Sequence, residues 1–234
     1  MIPLRDANPT RRTPVVTLLI IATCAIVFAW QLGSLASGGE AALWELFMTY
    51  GVVPADITAA LAAGNLLAAP VLAVVSSMFL HGGWLHLAGN MLYLWIFGNN
   101  VEDRLGRPLF VVFYLVGGVA AALTQVAIDP GSRVPMIGAS GAIAAALGAY
   151  LVLWPRARIQ SLVFLGFFYQ LVAVPAVIVL GFWFVLQVID GVGALRISTG
   201  EAEGGVAFFA HIGGFVAGVI LALPVRLRGA ASGR

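Results

Sequence analysis

Apolar residues in this chain come in long unbroken runs, not at the period of a surface helix or strand. The first run goes from Pro14 to Leu35, preceded by Arg11 and Arg12 and closing at Gly33 and Ser34. About 20 apolar residues are what a bilayer core requires. A lipid-embedded backbone must also satisfy its own hydrogen bonds, so each such run is predicted as a helix. This one is too long for the apolar core of a signal peptide, and further runs follow, so it reads as a retained span. Residues 36–83 break the pattern. They hold no Lys or Arg, three acidic residues (Glu40, Glu45, Asp56) and two shorter apolar pieces, 41–48 and 66–80. Pieces of that length lie in the interface or re-enter more often than they span. The stretch is predicted as a long, partly embedded loop with a function of its own.

The second span runs from Trp84 to Phe97 plus one turn, and the third from Leu109 to Ile128. The fourth covers Gly138 to Trp154 and is closed by Pro155. The apolar stretch 159–189 exceeds one span; Pro175 and the polar pair Tyr169, Gln170 predict a short lead-in and a fifth helix over 171–189. The sixth covers Val206 to Val225.

Composition agrees. Of 234 residues, 61% are hydrophobic and 9% charged, and the mean hydropathy is +1.01. A soluble domain has about 45–50% apolar and about 25% charged residues. A disordered chain, a basic nucleic-acid binder and a water-soluble globule are excluded. The lone Cys24 excludes an internal disulfide and a Cys-rich metal site.

Charge then sets orientation. All twelve basic residues are arginines. With six spans, ten of the twelve fall on one side: Arg5, Arg11, Arg12; Arg104, Arg107; Arg156, Arg158; Arg226, Arg228, Arg234. Only Arg133 and Arg196 fall on the other. The excess of arginine marks the cytoplasmic side. The expected fold is an all-α polytopic membrane protein. A six-transmembrane-helix bundle occupies 14–225, with short cytoplasmic segments at 1–13 and 226–234 and both termini cytoplasmic. These end segments are too short to hint at a partner. Arginine without lysine, with abundant Ala and Gly, suggests a GC-rich bacterial genome and hence the inner (plasma) membrane.

Polar side chains inside a membrane are costly, and each is a functional hypothesis by default. His86, Asn90, Ser140 and His211 stand out. Helices two, four and six all enter from the outer side. At ~1.5 Å per residue, the four side chains lie within roughly 10 Å of the outer helix ends. Three helices thus bring a hydroxyl, two imidazoles and an amide to one shallow layer. Small residues encode close approach: Ser140, Ala144 and Gly148 on helix four, beside Gly141, and His211, Gly214 and Gly218 on helix six. A serine becomes a nucleophile when a base takes its proton, and a neutral imidazole is such a base. His86 and Asn90, four apart, share a helix face and could donate to an oxyanion. Each residue has a plainer reading. A lone serine in a membrane helix more often bonds its own backbone, Gly214 to Gly218 is more often a packing motif, and His81, His86 and Asn90 could simply tie helix two down. Those readings do not require a common depth, which the four residues share.

The segments HGGWLHLAGN at 81–90, VEDRLG at 101–106, GASG at 138–141 and AHIGGFVAG at 210–218 resemble, in order and spacing, the rhomboid family of intramembrane serine proteases. The resemblance covers about residues 14 to 225. It implies a serine endopeptidase that cleaves transmembrane segments of single-pass membrane proteins through an acyl-enzyme. Ser140 would be the nucleophile and His211 the base, a dyad without a carboxylate. It implies an oxyanion site at His86, Asn90 and the Ser140 backbone N–H, with His81 supporting a water-accessible cavity. Glu102, Arg104 and Gly106 would form a structural turn, beside the packing glycines Gly138, Gly141, Gly214 and Gly218. Loop 36–83 resembles the family's lateral first loop, loop 191–205 its cap and helix five its substrate gate. Two positions depart from the common pattern. Many members carry an aromatic residue one turn after the serine, packed on the catalytic imidazole; here it is Ala144. Many carry a Trp-Arg pair in the first loop; here Trp44 is followed by Glu45.

The expected partners are membrane-protein substrates and the bilayer, with no nucleic acid, no metal and no cofactor. Two other classes use the same residues. Three histidines suit a zinc site or metal transporter, though no His-Glu-x-x-His occurs and no carboxylate lies at depth. A non-catalytic rhomboid-like binder of membrane proteins would lack the Ser or the His, and both are present.

Overall fold

The computed structural model describes residues 1–165, 168–197 and 206–231. Strand β1 is Ile2–Asp6. Helix α1, Val15–Tyr50, carries the first span and continues past it, with a break at Gly39 (φ 69°, ψ −164°) where only glycine is at ease. The expected loop 36–83 is largely helical: after the second part of α1 come α2 (Pro54–Ala62), α3 (Ala69–Ser76) and a 3₁₀ turn Ser77–Phe79. The second span is α4 (Trp84–Tyr93), a π-turn Leu94–Gly98 and α5 (Asn99–Leu105) in succession. Helix α6 is Arg107–Ile128 and α7 is Ser140–Leu153.

The apolar stretch after α7 corrects the all-α expectation. Residues Arg158–Leu165 and Phe168–Pro175 form an antiparallel hairpin, β2 and β3, and β1 pairs with β2 in the order β1-β2-β3. Helix α8, Ala176–Ile197, therefore starts at 176, not at 171. The hairpin is rich in β-branched and aromatic residues, and Ile159 and Ser161 alternate inward as buried positions. Proline fixes the junction, because it holds Val174 in the extended region and begins a helix readily. The segment 1–13 is likewise ordered: the Asp6 carboxylate accepts hydrogen bonds from Asn100 Nδ2 and Tyr150 Oη, both at 2.8 Å. Burial raises the Asp6 carboxyl above its ordinary value, and those two hydrogen bonds oppose the rise.

Helix α9 is Phe208–Ala231, so the predicted tail at 226 is helical as far as 231. Of the cap expected over 191–205, residues 191–197 belong to α8, and 198–205 lie outside the described residues.

Among the described residues, four helices are long and apolar enough to cross a membrane: Val15–Tyr50, Arg107–Ile128, Ala176–Leu195 and Phe208–Arg228. A fifth arises if Ala69–Phe79 and Trp84–Leu105, bent by 80°, are taken as one broken span. The protein is an integral, multi-pass membrane protein and mostly helical. Helix α7 is short, 14 residues, and every residue from Ala142 to Tyr150 is buried. It is wrapped by protein, so its uniformly apolar surface marks a core position. Its glycines let neighbours in. A Cβ on Gly148 would strike the Phe215 backbone, one on Gly214 the Gly141 carbonyl and one on Gly218 the Ala145 carbonyl. Helices α7 and α9 thus meet backbone to backbone along Gly141–Ala145–Gly148 and Gly214–Gly218.

Candidate active site

Ser140 is the first residue of α7, and the chain is held on both sides just before it. Val52 and Met136 exchange both backbone hydrogen bonds (2.9 and 2.8 Å), and Gly138 N–H donates to the Ser77 carbonyl at 2.9 Å. Gly138 has φ +126°, and a Cβ there would lie 2.7 Å from His86 Nε2. Both facts require glycine. Fixed at the helix start, Ser140 Oγ lies 2.7 Å from His211 Nε2. The N–H groups of the first helical turn have no intrahelical partner and carry the positive end of the helix dipole.

His211 lies in the first turn of α9, whose start is steadied by Ala210 N–H donating to Gln125 Oε1 of α6 at 3.3 Å. Its other ring nitrogen, Nδ1, lies 2.6 Å from Gln187 Oε1 on α8. An amide oxygen only accepts, so Nδ1 carries the proton and Nε2 is left bare toward the serine. The Trp183 ring packs over the imidazole at 5.9 Å, with 35° between planes. Trp183 and Gln187 are four apart and share one face of α8.

His86 belongs to the same cluster. Gly82 N–H donates to its Nδ1 at 3.3 Å, so its proton sits on Nε2, the nitrogen beside Gly138. His81 packs edge-on against it at 5.2 Å. His81 is fully buried, and the Gln31 amide clamps its backbone, donating to the carbonyl at 2.7 Å and accepting from the N–H at 3.0 Å. Asn90, one turn after His86, is buried, and its Nδ2 has no partner among the described residues. Among the described residues, no group of three or more His, Cys, Asp or Glu side chains converges as a metal site.

The acidic-Arg-Gly turn lies apart from this cluster. Glu102 accepts hydrogen bonds from the backbone N–H groups of Val16 (3.0 Å) and Thr17 (2.7 Å) and from the Thr17 hydroxyl (2.8 Å). Arg104 donates to the Val225 carbonyl at 3.2 Å, and Gly106 turns the chain at φ +81°. At the foot of α7, opposite Ser140, a cleft of about 540 Å³ is lined by Arg156, Arg158, Arg226, Trp154, Ala7 and Asn8 among others.

A family model described as the rhomboid domain matches residues 69–228, more than half of the chain. The chain belongs to the rhomboid family. The rhomboid protease GluP of Bacillus subtilis is 34% identical over 151 residues, 64% of this chain and 26% of the relative. The mitochondrial rhomboid protein 1 of Saccharomyces cerevisiae is 30% identical over 155 residues, 64% of this chain and 40% of the relative. The chloroplastic rhomboid-like protein 11 of Arabidopsis thaliana is 30% identical over 152 residues, 63% of this chain and 50% of the relative. The aligned region thus spans a quarter to a half of these rhomboids' own length.

Ser140, His211, His86 and His81 come together in this rhomboid as the sequence suggests, with Asn90 one turn along. Glu102, Arg104 and Gly106 do not join them, and Gly141, Gly214 and Gly218 serve the α7–α9 contact. Sequence reasoning missed Gln187, Trp183, Gln31 and Gln125. The three glutamines had a signal. Each is an uncharged polar residue inside an apolar run, subject to the same cost that singled out Ser140 and Asn90.

Proposed function

We propose that this rhomboid is an intramembrane serine endopeptidase whose reaction is run by Ser140 and His211. The observation that carries the reading is the 2.7 Å contact between Ser140 Oγ and His211 Nε2. In this reading Oγ attacks the scissile carbonyl carbon as its proton passes to Nε2. The oxyanion forms beside the start of α7. Its donors in this reading are the Ser140 N–H, His86 Nε2–H and the Asn90 amide, which has no partner among the described residues. The C–N bond then breaks, and His211 returns the proton to the leaving amine. Water attacks the resulting ester with His211 again as base, which releases the acid and restores the serine.

The substrates we propose are single-pass membrane proteins, cleaved in or beside their transmembrane segments near the outer face. The topology we propose has six spans over 14–225, with α7 counted as one although its 14 residues fall short of a lipid-exposed span. Two groupings support cytoplasmic termini: Arg12 beside Arg107, and Arg156, Arg158 and Arg226 around one cleft. The lysine-free composition favours a bacterial inner membrane.

The experiment is labelling of the detergent-purified protein with a fluorophosphonate serine probe, beside Ser140→Ala and His211→Ala. Labelling of the wild type alone is expected. Equal labelling of Ser140→Ala would sink the assignment, and an unlabelled, folded wild type would favour a non-catalytic membrane-protein binder.

A further inference from the structure

We infer that Gln187 of α8 is the positioning residue for the catalytic base. The inference rests on the reading of His211 as that base and adds the group that sets its tautomer and orientation. Three observations carry it. Gln187 Oε1 lies 2.6 Å from His211 Nδ1, opposite the ring nitrogen that faces Ser140. Ala144, one turn after Ser140 on α7, is fully buried and brings no ring to the imidazole. The ring that does cover His211 is Trp183, one turn before Gln187 on the same face of α8.

The chemistry follows from what an amide oxygen can do. A neutral imidazole has one N–H and one bare nitrogen, and only the tautomer with the proton on Nδ1 can take a proton from Ser140. Gln187 Oε1 pairs with that tautomer alone. It also faces the Nδ1–H of the imidazolium formed after proton transfer, without bringing a charge into the membrane. A buried carboxylate would do the same work at a larger desolvation cost.

The position of Gln187 adds a consequence. Helix α8 carries many exposed apolar residues, including Val177, Ile178, Phe182, Val185 and Ile189. Its inward face meets α9 through Trp183 and Phe184 on Phe215, and through Trp183 and Gln187 on His211. The base is thus organised by a helix at the edge of the bundle. Movement of α8 away from α9 removes the acceptor and the covering ring together.

The test uses Gln187→Met and Gln187→Glu in the whole 234-residue chain, with the fluorophosphonate probe as the reactant. Methionine keeps the length and volume but accepts no strong hydrogen bond; glutamate keeps the acceptor. The maximal labelling rate of Gln187→Met is expected to fall about tenfold, a part of the roughly 10²–10⁴-fold that the positioned base contributes as a whole. Its half-saturating probe concentration should stay unchanged, and Gln187→Glu should restore the rate. Wild-type rates in Gln187→Met overturn the inference, as do equal losses in both variants, which mark a packing role. If labelling depends on Ser140 and His211 but not on position 187, the inference fails alone. If Ser140→Ala labels like the wild type, the protease reading fails and this one with it.

Discussion

Ser140 and His211 are 71 positions apart, and what brings them into hydrogen-bond reach is mostly the absence of side chains. Gly148, Gly214 and Gly218 let α7 and α9 touch by their backbones, and a Cβ at any of the three would collide with a carbonyl or the backbone of the facing helix, while the bare Gly141 makes room for Ala121 of α6. Gly138 plays the local version of that part. Gly138→Ala would force a residue with φ +126° to carry a Cβ 2.7 Å from His86 Nε2. We expect a loss of ~1–3 kcal/mol from backbone strain. Probe labelling should fall further than stability does, because His86 is pushed from its place. A thermal-unfolding midpoint and a labelling rate on the same preparation separate the two effects. At this scale the sequence was highly legible for groups with a chemical signature, Ser140, His86 and His211. It was poorly legible for Gln187 and Gln31, whose roles depend on a partner 24 and 50 positions away.

Among the elements, the sheet is what the pattern of apolar runs hid. Residues 159–189 read as one apolar stretch because a hairpin of β-branched and aromatic residues passes directly into a lipid-facing helix. Hydropathy does not distinguish the two, whereas alternation does, and Ile159 and Ser161 alternate over too few residues to outweigh it. The short apolar pieces of 36–83 predict a partly embedded loop, and in the structure those pieces are helical. Glu102 gives the clearest element-level prediction. Its carboxylate satisfies two orphan N–H groups at the start of α1 and the Thr17 hydroxyl, and it is 2% exposed. Glu102→Ala leaves buried donors unpaired at about 1–3 kcal/mol each. We expect a large fall in the thermal midpoint. Glu102→Gln, which keeps one acceptor oxygen, should lie between it and the wild type. Equal midpoints for Glu102→Ala and the wild type would contradict the capping account.

For the whole molecule, span length predicts a multi-pass helical membrane protein, and the described residues hold four helices long and apolar enough to cross a membrane. Three arginines donate to backbone carbonyls: Arg107 to Thr13, Arg104 to Val225 and, within the hairpin, Arg158 to Ala173. What could not be read was the length of α7, because a helix wrapped by protein need not match the bilayer. Cys24 is the single cysteine and is buried, so a Cys24→Ser background suits single-cysteine mapping. Arg133→Cys and Arg228→Cys should react with a membrane-impermeant maleimide from opposite sides of sealed vesicles, the former from outside. Reaction of both from one side would contradict the six-span topology.

The central claim is that His211 activates Ser140 and no other serine. The most direct test is to digest the fluorophosphonate-treated protein and locate the adduct by mass spectrometry. The account predicts one adduct per chain, on Ser140, absent from His211→Ala. An adduct on another serine, or one on Ser140 that survives loss of His211, would contradict it.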